Sequence, residues 1–395
     1  MKVLWIGDAA AATGFARATH AACDALYARG HEVHVLGLNY FGDPHDYPYK
    51  LYPAARVNRK REREDGFGVV RCGDLVATLE PDMVVIVQDH WNMPPYFEVL
   101  PKGVPVVGVF CLDGKNMNAA TCGLNALRGA VFSTQFGVDE ARLGGYTGPA
   151  EVVGYGVDID VFKPGSKASA RASAGFPSEA DGGFVVGTVC RNHPRKRLDL
   201  TIRYFAAWLD ERGYDDAYLF IHAMGTGGQG FDLRQLATFY NVGGNQRRRM
   251  LLTPDTDIAT GFDEKSLVEM YQAMDVYVNT GQGEGWGLPV MEAMACGIPC
   301  IVPTWSALGE WAADAALQVP CTTYAHSPGG VNVLGGVPDM ALYMRALDTL
   351  YEAVEPGEEM AAAGLALTGR GEYRWGNIGK RYAEVLEGWH GTADS

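Results

Sequence analysis

Short apolar runs with almost no polar interruption constrain this chain more than any other feature. They are residues 2–7 (Lys-Val-Leu-Trp-Ile-Gly), 32–38, 83–87 (Met-Val-Val-Ile-Val), 105–110 and 130–133, then 184–190, 217–222, 275–279 and 299–302. A strand with one wet face alternates apolar and polar residues. Near-continuous runs need cover on both faces, as in parallel sheets flanked by helices. Between the first two runs, Phe15, Ala18, Ala22 and Leu26 recur at helical spacing and Gly30 supplies a C-terminal stop. The chain therefore opens with a βαβ unit whose crossover must be right-handed.

A length of 395 residues exceeds one ordinary core and suits two domains. The expected class is α/β, with two Rossmann-like doubly wound domains facing a central cleft. The boundaries read as 1–165, 166–370 and a C-terminal helical segment, 371–395. Residues 164–183 are small, polar and punctuated by Pro and Gly, and read as an interdomain connection with one short helix. Doubly wound sheets bind ligands at the carboxyl ends of their strands, so the functional residues are sought there.

The balance of 33 Lys+Arg against 47 Asp+Glu, net −14, argues against a polyanion-binding surface spread over the whole chain. The eight cysteines form no CxxC pair and read as free thiols in a reducing compartment. No apolar run approaches membrane-span length, and the N-terminus enters a strand without a leader pattern. A cytoplasmic protein is expected.

The richest segment is 281–302, Gly-Gln-Gly-Glu-Gly-Trp-Gly-Leu-Pro-Val-Met-Glu-Ala-Met-Ala-Cys-Gly-Ile-Pro-Cys-Ile-Val. A strand ends in a glycine-rich loop that carries Glu284. Pro289 suits the first turn of the next helix and Gly297 ends it. The amides around Gly287 and Leu288 then lie at a helix N-terminus, where a diphosphate would be stabilised. Glu292 falls one turn into that helix. Two carboxylates so spaced can each accept paired hydrogen bonds from vicinal hydroxyls, one set on a hexose and one on a ribose. Upstream, Arg191-Asn192-His193-Pro194-Arg195-Lys196-Arg197-Leu198-Asp199 sets four bases at a strand's carboxyl end. That is where a phosphate leaving group would need neutralising.

Residues 281–302 resemble the Glu-x7-Glu signature of the family 4 retaining glycosyltransferases of the GT-B fold, and 191–199 resembles the same family's Arg…Lys segment. The resemblance implies that Glu284 lies by the transferred sugar and Glu292 by the nucleotide ribose, with Gly285, Trp286, Gly287 and Leu288 lining the donor. It also implies that Arg191 and Lys196 grip the diphosphate in place of a metal, so that no metal or resident cofactor is needed and a nucleoside-diphosphate sugar is the co-substrate. Gly14 and Phe15, in Thr13-Gly14-Phe15-Ala16-Arg17, occupy the place of the family's first glycine loop. Residues 151–164 resemble its crossing between domains, with Tyr155 where Asn is usual. Tyr373-Arg374-Trp375 with the helix behind them resemble its C-terminal tail, which implies that 371–395 packs back on the first domain. Many members carry a His after the fourth N-terminal strand. This chain has Asp113 there, in Cys111-Leu112-Asp113-Gly114, and His90 at a neighbouring strand end competes for that acceptor-side role.

The run 56–63, with five bases and one acid, suits an anionic acceptor or a solvated surface. Arg247-Arg248-Arg249 reads as surface. The triplets Asp158-Ile159-Asp160 and Asp255-Thr256-Asp257 lack the context of a metal motif. The function read from the sequence is retaining transfer of a sugar from a nucleoside-diphosphate sugar to an acceptor hydroxyl on a protein, glycan, lipid or modified nucleic acid. The alternatives are another GT-B enzyme, an epimerase or phosphorylase, and a degenerate binding module. Base selection is assigned to loops around 253–262.

Overall fold

The computed structural model describes residues 1–9, 14–54, 56–57, 63–226, 230–243, 249–255, 263–327 and 331–391. The chain forms two compact units. The first contains Met1–Leu112, Asn116–Gly156 and the segment from Gly371 onward; the second contains Asp113–Lys115 and Val157–Arg370.

The strands of the first unit are β1 (Lys2–Asp8), β2 (Glu32–Leu38), β3 (Lys50–Pro53), β4 (Arg56–Val57), β5 (Arg63–Glu64), β6 (Met83–Val87), β7 (Val106–Phe110), β8 (Gly129–Phe132) and β9 (Ala150–Val152). Seven of them form one parallel sheet, in the order β3-β2-β1-β6-β7-β8-β9, while β4 and β5 pair with each other. Every residue of β6 and β7 is buried, as unbroken Val and Ile runs require. One face of the sheet packs Leu4, Ile6, Val84 and Ile86 against the helix Val69–Leu79. The other packs Val3, Trp5, Val85 and Val131 against the helices Gly14–Ala28 and Trp375–Gly391. That last helix is held by Ile378, Tyr382 and Leu386 in the core and by an Arg29–Glu387 ion pair of 2.7 Å. Gly379 lies so close to the Ala21 carbonyl that a larger residue would separate the two helices.

The second unit contains β10 (Phe184–Val189), β11 (Ala217–His222), β12 (Met250–Leu252), β13 (Val276–Val278), β14 (Cys300–Pro303), β15 (Leu317–Val319), β16 (Cys321–His326) and β17 (Leu334–Pro338). Its main sheet runs β12-β11-β10-β13-β14-β15, again parallel throughout. The helix Leu198–Arg212 buries Leu198, Ile202, Phe205 and Trp208 on it, and Gly213, at φ 72°, ends that helix.

Two readings of the sequence change here. Residues 164–183 are folded onto the second unit rather than serving as a linker. Arg171 is buried there, donating to the Ala273, Ala180 and Asp181 carbonyls and to Asp275 Oδ2 at 2.7 Å. Beyond the run 299–302 the sequence reads as helices to the end, whereas β15 and the antiparallel β16–β17 pair precede the helices Met340–Glu352 and Val354–Thr368. Strand β16, Cys-Thr-Thr-Tyr-Ala-His, is mostly exposed and carries no apolar run to announce it.

Candidate active site

In both main sheets the strand order reverses beside the first strand, between β1 and β6 and between β10 and β13. Loops leaving neighbouring strands in opposite directions open a crevice at such a point. In the second unit the two loops are the 190–197 stretch after β10 and the 279–287 stretch after β13.

Glu284 is the centre of this crevice and is 5% exposed. Lys196 Nζ donates to both its carboxylate oxygens, and Asn279 Nδ2 donates to Oε1 at 3.1 Å. Arg195 Nη1 stands 3.6 Å from Oε2. Burial pushes the Glu284 carboxyl up, but Lys196 and Arg195 outweigh it and hold the group below its ordinary value. The backbone is fixed as firmly. Ser306 Oγ accepts from the Glu284 N–H and donates to its carbonyl, both at 3.0 Å. Ser306 itself adopts φ 49°, a costly conformation for a residue with a Cβ, which this double bond helps to hold.

Arg191 is exposed at the end of β10 and forms no ion pair among the described residues. Asn192 clasps the neighbouring loop, donating to the Met224 and Phe231 carbonyls and accepting from the Phe231 N–H. Arg197 pairs with Asp199 at 2.9 Å. Asp113, although it follows β7 in the chain, belongs with the second unit and accepts from Arg195 Nε at 2.8 Å.

Gly287, at φ 92°, turns the loop into the helix Leu288–Ala295. Trp286 is buried, its ring stacked on Trp311 at 5.3 Å, and its carbonyl accepts from Trp311 Nε1. Glu292 is buried in that helix and accepts from Tyr271 OH at 2.7 Å.

Gly14, Phe15 and His90 lie in the first unit. Gly14 begins the helix after β1, and Phe15 is 42% exposed with its ring edge-on to Tyr155. His90 sits just beyond β6, edge-on to Trp91 at 4.7 Å. Burial pushes its pKa down to about 4, so it is neutral near pH 7. Thr13, residues 58–62 of the basic run, Arg247, Arg248 and residues 256–262 of the base-selection loop lie outside the described residues. Asp255 is engaged by the Gly225 N–H and by Arg234 at 2.9 Å. Arg249 lies over the Tyr218 ring.

The sequence reading counted Arg195 among four bases without giving it a separate role, and it missed Asn279, Ser306 and Tyr271. Arg195 and Asn279 flank residues already singled out. Ser306 and Tyr271 reach the site only through the fold and left no local signal.

Residues 183–325, which contain all of this crevice except Asp113, match the family model described as Glycosyl transferases group 1. The chain as a whole is similar to the structure of sucrose-phosphate synthase (tll1590) from Thermosynechococcus elongatus, with a TM-score of 0.72 at 15% identity over 99% of each chain. The fold is GT-B. The Anabaena Alr3699/HepE structure in complex with UDP and glucose shares it, with a TM-score of 0.69 at 17% identity over 98% of this chain and 100% of that one. In sequence, D-inositol 3-phosphate glycosyltransferase 2 of Catenulispora acidiphila is 29% identical over 182 residues, 46% of this chain and 40% of the relative. The D-inositol 3-phosphate glycosyltransferase of Mycobacteroides abscessus is 33% identical over 168 residues, 42% of this chain and 33% of the relative. The chain thus spans two fifths or less of the length of these curated relatives. Among the described residues of this GT-B chain, no helix is long and apolar enough to cross a membrane.

Proposed function

We propose that this chain is a retaining, metal-independent glycosyltransferase that moves a sugar from a nucleoside-diphosphate sugar to an acceptor hydroxyl, in the cytoplasm. The observation that carries the reading is the buried Lys196–Glu284 pair at the strand-switch crevice of the second unit, within the segment that matches Glycosyl transferases group 1. The relatives named as glycosyltransferases, and the GT-B structure that holds UDP and glucose, support the same substrate class.

In this mechanism the diphosphate lies over the amides of Gly287 and Leu288, with Gly285 and Trp286 beside it. Arg191 and Lys196 neutralise the charge that grows as the anomeric C–O bond to phosphate breaks. Glu284, held ionised, orients the sugar hydroxyls, and Glu292 receives the ribose hydroxyls. The acceptor oxygen attacks the anomeric carbon from the face the diphosphate leaves, and its proton passes to a diphosphate oxygen. Configuration is retained without a protein nucleophile. Gly14 and Phe15 are assigned to the donor side, and Asp113 and His90 to the acceptor side. His90, being neutral, serves there through a hydrogen bond rather than a charge.

Thermal unfolding with UDP, GDP, ADP and their common sugars, with and without magnesium, tests the proposal. One nucleotide at a hundred times its dissociation constant should stabilise the protein by about 2.7 kcal/mol without metal, and Glu292→Ala should abolish the effect. Stabilisation by none of them, or only with magnesium, overturns the proposal. Proton NMR of the product then reads the anomeric configuration, which must match the donor's.

A further inference from the structure

The mechanism above leaves Arg195, a cation of the crevice, unused. Arg195 Nε donates to Asp113 Oδ2 at 2.8 Å, and its Nη1 donates to the Gly283 carbonyl. Its own carbonyl accepts from the Gln282 N–H at 2.8 Å, so the residue is tied by main chain and side chain to the loop that carries Glu284. Asp113 is placed as firmly. Lys115, two residues on, exchanges backbone hydrogen bonds with Leu334 at 2.9 and 3.0 Å. Gly283 lies directly against the Asp113 carbonyl, where no side chain would fit. The Arg195 and Asp113 side chains keep 24% and 22% of their exposure, so a ligand in the crevice can reach both.

The charges around this pair differ in availability. Lys196 is bonded to Glu284, Arg197 to Asp199, and Arg191 stands open. Arg195 is neutralised by a carboxylate, the group that most resembles a phosphate in how it receives a guanidinium fork. A diphosphate arriving beside Lys196 brings at least two negative charges toward Asp113. The same guanidinium can satisfy either anion, and their mutual repulsion favours exchange.

We propose that Arg195 is a third phosphate-binding cation of the donor site and that Asp113 is its resident counter-ion, given up when a nucleoside diphosphate binds. The proposal rests on the donor-site reading above. It also assigns an order to the reaction: Asp113 becomes available to an acceptor hydroxyl only after the donor has taken Arg195. A carboxylate that merely held Arg195 and the Glu284 loop in place would support donor binding; one that competes with the donor opposes it. The sign of the effect separates the two.

Titration calorimetry with UDP, GDP and ADP supplies the test. For the nucleotide that binds wild type, Asp113→Asn should bind about fivefold tighter, the scale of one partly exposed ion pair that no longer competes. Arg195→Gln should bind more weakly, and adding Asp113→Asn to it should restore nothing. Asp113→Ser, a smaller uncharged replacement, should give the same sign as Asp113→Asn and guards against a variant that fails to fold. If wild type binds a nucleotide but neither Asp113 variant binds it more tightly, or the gain persists without Arg195, Arg195 and Asp113 do not have these roles. If wild type binds none of the three, the donor reading falls and this proposal falls with it.

Discussion

Lys196 Nζ lies 2.7 Å from Glu284 Oε1 and 2.6 Å from Oε2, so a single ammonium bridges both oxygens of a carboxylate that is almost wholly buried. Removing one partner of such a pair leaves the other charged and desolvated. Lys196→Ala should therefore destabilise the fold by about 3 kcal/mol in urea denaturation, and Lys196→Arg by much less. Glu284→Gln keeps the hydrogen-bonding shape but leaves Lys196 without its counter-charge, so it should also lose about 2 kcal/mol of stability. It should transfer sugar about a hundredfold more slowly, the scale of one lost electrostatic contact at a reacting centre.

Glu292 and Tyr271 share a buried hydrogen bond, and substitution can separate structure from binding. Tyr271→Phe should cost about 2 kcal/mol of stability, as for a bond to a charged group, with nucleotide affinity close to that of wild type. Glu292→Gln should weaken nucleotide binding about tenfold while preserving most of the stability. Calorimetry and denaturation on the same preparations compare the two, and the reverse ranking would remove Glu292 from the ribose.

Gly287 offers a backbone test. At φ 92° any side chain is strained, and a Cβ there would lie 2.8 Å from Leu308 Cδ2. Gly287→Ala should lower stability by about 2 kcal/mol and shift the amides at the helix start. Nucleotide affinity should drop even though no side-chain contact has been removed. Unchanged affinity would take these amides out of the diphosphate site.

Acid should weaken the fold through two histidines. Burial pushes His90 and His222 down to about 4, whereas an unfolded chain binds the proton near 6.5. The unfolded state then holds more protons, so stability rises with pH across that interval. The contribution is complete above about pH 6.5 and is lost as pH falls toward 4, on the order of 3 kcal/mol for each residue. Chemical denaturation across this range on His90→Leu and His222→Leu should show a shallower acid loss than wild type.

What could be read from the sequence followed from where its information is local. Val84, Val85 and Ile86 announce a central strand because both faces of that strand are covered. The edge strands Lys50–Pro53, Ala150–Val152 and Leu317–Val319 were passed over because an edge needs little apolar content. Glu284 stood out because its glycine loop and helix start are contiguous with it. Arg195 lay beside Lys196 in the same basic run, yet nothing local distinguished its partner. Asp113 and Arg195 meet only in the finished second unit, where Lys115 pairs with Leu334 from far along the chain. Ser306 is a stronger case, since both its backbone angle and its bonds to Glu284 are products of the finished fold.

The helix Trp375–Gly391 completes the core around Val3, Trp5 and Val131, and Glu387 meets Arg29 across 358 positions of chain. During synthesis the first unit must therefore wait, with one face of its sheet covered only in part, by the helix Gly14–Ala28, while nearly all of the second is made. The second unit is continuous from Val157 to Arg370, apart from the three residues Asp113–Lys115 that have already been made, and has no such delay. On a translating ribosome the later half of the molecule can finish folding before the earlier half. A nascent chain stalled after Arg370 should then protect Trp208 from solvent while leaving Trp5 within reach of a quencher.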